Sequence, residues 1–224
     1  EAAAFADDVG SLQFATGKFA SGLSDVQLAA RDAGYEPTYR EDLGHALLTL
    51  ARVQSTNPNL ITLPGSPDPR SVSPDTALQL VPSQLRQFGL DQLRAAISLA
   101  PLDPSTYETL GTTYLGLNQP AAAYQEFRHA AQLSANNPTY IADESLAEGA
   151  SHRALPALTD AQTAVALDPI YWLPRLALAS ALHALGSHVD ARQEAALGLS
   201  LTTLAYTPPP ATQIDELRRL AKTG

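Results

Sequence analysis

The chain reads as an all-α protein, a right-handed α-solenoid of helical hairpins closed by a C-terminal capping helix. Three observations predict this. Residues repeat at one spacing of 34: Ala123, Ala157 and Ala191 form one ladder, and Ala130, Ala164 and Gly198 a second. Leu99, Leu133, Leu167 and Leu201 form another at the same step. A fixed period of this length marks stacked helix pairs, each burying the apolar face of its neighbour. The composition agrees. The 224 residues are 45% hydrophobic but only 6% aromatic, so Ala and Leu supply the core and strand-favouring residues are thin.

Residues 1–56 form an N-terminal helical region outside the 34-residue phase. Ser24-x-x-Gln27 has the form of a capping box ahead of Leu28, Ala29 and Ala30, and Gly34 is a stop. Pro37 opens a second helix in which Tyr39, Leu43, Ala46, Leu47, Leu50 and Val53 make an amphipathic stripe. Residues 57–72 are a Pro-rich linker, with Pro58, Pro64, Pro67 and Pro69, and mark the best domain boundary.

The array occupies residues 73–206. Ser73-Pro74, Asp103-Pro104 and Asn137-Pro138 each set a capping side chain before Pro at the first helical position. In the copy at 70–103, Pro82 and Gly89 predict a distorted first helix. In the copy at 138–171, a straight register buries Glu144 and Glu148. A local slip that turns Leu146, Ala147 and Ala150 inward instead is therefore expected, leaving both glutamates in solvent. Residues 207–224 comprise the break Pro208-Pro209-Pro210 and a capping helix with Ile214, Leu217 and Leu220 on one face.

The segment 104–137 resembles a tetratricopeptide repeat. It carries Tyr107, Leu110, Gly111, Tyr114, Ala123, Phe127 and Ala130 where that family has its signature, with Ala135 replacing the last Pro. The copy at 172–205 departs by placing Arg175 at a usual aromatic position. The resemblance implies a groove lined by the first helix of each hairpin. Its residues here are Glu108, Thr112, Leu115, Thr139, Leu146, Leu176, Ser180 and His183, and an exposed Trp172 would add an anchor. Almost no Lys, Arg or Asn stands at these positions, which argues against a clamp for acidic C-terminal peptides.

The expected function is a non-catalytic protein–protein interaction scaffold or assembly factor. It would bind a polypeptide segment in a neutral, partly apolar groove. The alternative is a permanent structural subunit of a larger cell-envelope complex. No enzyme and no cofactor is expected, because no phosphate loop, nucleophile elbow or zinc motif occurs. Glu144 and Glu148 read as a solvated face rather than an acid–base pair. The histidines His45, His129, His152, His183 and His188 form no i, i+4 pair, so no metal site is expected.

Partners are expected to be proteins. Fourteen Lys and Arg against 23 Asp and Glu give a net charge of −9, which disfavours nucleic acid. No apolar run has the length of a membrane span. The chain starts at Glu1 and lacks Met and Cys. A processed N-terminus and a cell-envelope, periplasmic or secreted location are the expectation, with a cytoplasmic one as the alternative.

Overall fold

The computed structural model describes residues 19–33, 35–56, 81–205 and 208–222. Among these every regular element is an α-helix. The chain divides into two compact units, residues 1–102 and 103–224.

The first unit holds α1 (Phe19–Asp32), α2 (Pro37–Thr56) and α3 (Pro82–Leu99). Ser24 lies inside α1 rather than at its start, and Gly34 lies outside the described residues. Pro37 does open α2. The core joins Leu23, Val26 and Ala30 of α1 to Leu43, Leu47 and Leu50 of α2 and Leu85 of α3. The two longer helices touch backbone to backbone. A Cβ on Gly44 would stand 2.9 Å from the Gly89 carbonyl oxygen and 2.9 Å from the Leu93 side chain. Arg40 Nη1 donates to Gln92 Oε1 at 2.8 Å across the same pair.

This contact revises the domain reading. Gly89, Leu93 and Ala96 stand one period before Ala123, Phe127 and Ala130, so α3 is the second helix of a hairpin. Its first helix is α2, whose Leu43-Gly44-x-x-Leu47 matches Leu110-Gly111-x-x-Tyr114. Gly89 therefore marks a helix crossing, and Pro82 opens a regular helix as its first residue. The division falls after Leu102, not in the Pro-rich segment. Residues 57–80, with the expected start at Ser73-Pro74, lie outside the described residues.

The second unit holds α4 (Pro104–Gly116), α5 (Pro120–Leu133), α6 (Pro138–Ala150), α7 (Ala154–Leu167), α8 (Trp172–Ala184), α9 (His188–Thr202) and α10 (Ala211–Lys222). Asp103 caps α4 by accepting from the Ser105 amide at 3.0 Å. Asn137 caps α6 by accepting from the Thr139 amide at 2.9 Å. Each hairpin turns on a residue with positive φ, and these too step by 34: Asn118 (57°), His152 (62°) and Gly186 (81°). A role in chain reversal thus accounts for His152.

Ala123, Ala130, Ala157, Ala164 and Ala191 are all 0% exposed, as the ladder predicts. In α4 and α5, a Cβ on Gly111 would meet the Phe127 ring at 2.8 Å, the counterpart of Gly44 against Leu93. The leucine ladder behaves differently. Leu99, Leu133 and Leu167 are exposed and only Leu201 is buried. The capping helix behaves as expected, with Leu217 and Leu220 fully buried. The missing side chain at Gly198 admits it, because a Cβ there would lie 2.9 Å from Leu217. Arg175, the departure from the family pattern, binds Glu194 at 2.8 Å and the Pro169 carbonyl oxygen at 2.8 Å.

The expected register slip in α6 does not occur. Ser145 takes the position of Gly111, and its hydroxyl donates to the Ala157 carbonyl oxygen at 2.7 Å. Glu148 takes the position of Tyr114 and is only 2% exposed, while Glu144 is half-buried. Ala147 does face inward, but Ala150 is exposed and Leu146 half-buried. The hairpin keeps its straight register with one oxygen of Glu148 partnered and Oε2 left without a hydrogen bond. Glu148 Oε1 lies 3.2 Å from Arg153 Nη2, and that guanidinium lies 4.5 Å over the Tyr124 ring.

Candidate protein-interaction site

The first helices of the second unit, α4, α6 and α8, bring their repeat-equivalent positions into rows. Thr112, Leu146 and Ser180 make one row, Glu108 and Leu176 belong to another, and Leu115 and His183 to a third. Thr112 is exposed, while Glu108, Leu115, Thr139, Leu146, Ser180 and His183 are half-buried. Two members are corrected. Leu176 is 2% exposed and Trp172 6% exposed, and both belong to the hydrophobic core. Their apolar area is spent on packing α8 against its neighbours, so they offer no accessible contact. Trp172 meets Tyr171 edge-on with ring centroids 5.7 Å apart.

The expected neutral lining also changes. The structure gathers Glu108 of α4, Thr139, Tyr140 and Asp143 of α6, and Tyr171 just before α8. Asp143 is 8% exposed. Burial, reinforced by the nearby Glu108 charge, holds its carboxyl well above the usual range. Burial also raises Glu108. Both tyrosines are raised, chiefly by burial and then by these carboxylates, while a hydrogen bond with Thr139 opposes the shift at Tyr171. In the sequence Asp143 stands beside Glu144 and Glu148 and reads with them as a solvated face, whereas the structure buries it.

Two further features belong to this unit. His183 and His188, which are five residues apart and form no i, i+4 pair, meet across the α8–α9 turn with Nδ1 atoms 3.2 Å apart. A cleft of about 550 Å³ lies at the other end of α8, lined by Ile170, Tyr171, Trp172, Leu201, Leu204 and Pro208–Pro210 among others. Among the described residues, no group of three His, Cys, Asp or Glu side chains could hold a metal ion. No helix among them is long and apolar enough to cross a membrane.

Helix pairs with small residues at the crossings, repeated at this step, define a tetratricopeptide-repeat fold, and comparison with solved structures shows the same. MamA from Desulfovibrio magneticus RS-1 superposes with a TM-score of 0.61 at 14% identity, over 92% of this chain and 98% of that one. TTC0263, a thermophilic TPR protein of Thermus thermophilus, gives 0.57 at 17% identity, over 98% and 97%. YrrB, described as a TPR protein with an unusual peptide-binding site, gives 0.56 at 10% identity, over 97% and 91%. At such identities the likeness shows the fold. No family model matches the sequence, and no curated protein does either.

Proposed function

We propose that this protein is a non-catalytic interaction scaffold that receives a polypeptide segment on the shared face of α4, α6 and α8. The observation that carries this is the state of that face. Thr112, Leu115, Leu146 and Ser180 stand in repeat-equivalent rows, exposed or half-buried, between helices whose opposite sides are packed. A row of mixed apolar and hydroxyl groups at a regular step suits an extended chain running across the helices. The peptide-binding site in YrrB's description supports the reading by analogy.

The test is a pull-down from the native source with the parent and with Thr112→Arg and Leu115→Asp variants. A protein retained by the parent and released by both variants supports the reading, provided that their melting temperatures match the parent's. Equal retention by all three refutes this face as the site.

A second reading, a permanent subunit of a larger assembly, is favoured by Ile170 and Leu204. These large apolar side chains are 75% and 77% exposed beside the cleft at Pro208–Pro210. Size-exclusion chromatography of the isolated chain separates the two, since an obligate subunit self-associates when alone.

A further inference from the structure

We infer that this face contains a pocket for one cationic side chain, Lys or Arg, of the bound polypeptide, formed by Asp143 and Glu108 with Tyr140 and Tyr171 beside them. The inference rests on the polypeptide-binding reading above and gives that site its chemistry.

Asp143 carries the argument. A buried carboxylate ordinarily holds a helix cap, an ion pair or several amide donors, because desolvating it alone is costly. Asp143 is only 8% exposed, yet among the described residues it has neither a hydrogen bond nor an ion pair. The one charge acting on it is Glu108, which has the same sign. Nearby Glu148, 2% exposed, has a cation on one oxygen only: Oε1 meets Arg153, while Oε2 has no hydrogen-bond partner. Asp143 is the buried carboxylate of α6 on which no described cation acts.

The surroundings say what would answer it. Glu108 comes from α4, Tyr140 and Asp143 from α6, and Tyr171 from the start of α8, so the groups converge from three successive first helices. Asp103 and Asp168, at the edges, add only negative charge. Two carboxylates beside two tyrosine rings fit an ammonium or guanidinium, which gains charge-assisted hydrogen bonds and contact with aromatic faces. Two carboxylates alone are a poor metal cage, which leaves an organic cation. A segment crossing the helices would present such a side chain at one fixed position.

The probe is a random nonapeptide library displayed on phage, selected against the immobilised protein at about 0.15 M salt. The result expected is enrichment of Lys or Arg at one position. A synthetic peptide from the best sequence should then bind at least about tenfold more tightly than its citrulline counterpart, since the cation would pair with a desolvated carboxylate. Asp143→Asn should abolish that ratio. It should also melt higher than the parent at neutral pH, because the parent must take up a proton to bury that carboxyl and the amide need not.

Selected peptides without a fixed basic residue overturn the pocket and leave the polypeptide reading standing. A library that yields no binders overturns both. A basic preference that survives in Asp143→Asn reflects only the net charge of −9 and overturns the pocket. A lower melting temperature for Asp143→Asn also overturns it, by making the carboxylate a structural group. Glu108→Gln supplies a second variant and should weaken the arginine peptide without affecting the citrulline one.

Discussion

Arg153 stands five residues after Glu148 and closes over it, Nη2 to Oε1 at 3.2 Å, with the carboxylate sealed and the guanidinium still 45% open to solvent. The pair spans the turn between α6 and α7. Asp160 of α7 and Tyr124 of α5 complete the surroundings, and Glu144 lies one helical turn before Glu148. Burial raises Glu148 and Asp160 above the ordinary carboxylate range. Glu144 is pushed up to about 7, by burial first and then by Asp160 and Glu148.

These shifts set the sign of a pH dependence. A carboxyl raised in the folded state holds a proton that the unfolded chain has released. Stability present near pH 4.5 is therefore lost as pH climbs towards about 7. The melting temperature should be lower at pH 8 than at pH 5, by roughly 2–4 °C for each 1 kcal/mol involved. Arg153→Ala should steepen this slope, since Arg153 opposes the rise of the Glu148 carboxyl and its removal lets that carboxyl climb further. Glu148→Gln should flatten it. Calorimetric melts of the three proteins at both pH values check the order, and parallel slopes would refute it.

Gly111 and Gly116 lie in one helix and should respond oppositely to alanine. At Gly111 a methyl group would sit 2.8 Å from the Phe127 ring, whereas at Gly116 nothing lies within 4 Å. Gly111→Ala should cost about 1–3 kcal/mol by overpacking. Gly116→Ala should gain roughly 0.4–1 kcal/mol by restricting the unfolded chain. Urea denaturation of both variants measures the difference.

Ala130 is 0% exposed at the heart of the repeat. Ala130→Leu should force the α5 neighbours apart and cost about 1–3 kcal/mol. A melt that coincides with the parent's would contradict the packing of this ladder.

Small residues at helix crossings were legible because geometry dictates them. Only small residues fit where two helices touch, so Ala123, Ala157 and Ala191 show their spacing in the bare sequence. Caps at Asp103 and Asn137 were legible for the same local reason. The interaction face was less so. Leu176 and Glu108 have equivalent positions in the repeat, but how far each is covered depends on the next helix, which periodicity does not encode. The charged interior misled in a different way. A buried glutamate looked intolerable on its own face, and its remedy, Arg153, sits beyond a turn and points back. The first hairpin was missed because Leu43-Gly44 and Leu93 are separated by a Pro-rich segment that reads as a boundary.

That separation bears on the order of events when the chain folds. Residues 117–119, 151–153 and 185–187 join the helices of the later hairpins, so each can close almost as soon as its helices form. Residues 57–81 stand between α2 and α3, and bringing those helices together costs about 2 kcal/mol more in chain entropy than a three-residue turn. The Gly44–Gly89 crossing is thus a late contact, made by segments that meet only after a long search. The C-terminal hairpins are the natural place for structure to begin, with the N-terminal pair arriving last and, under stress, parting first.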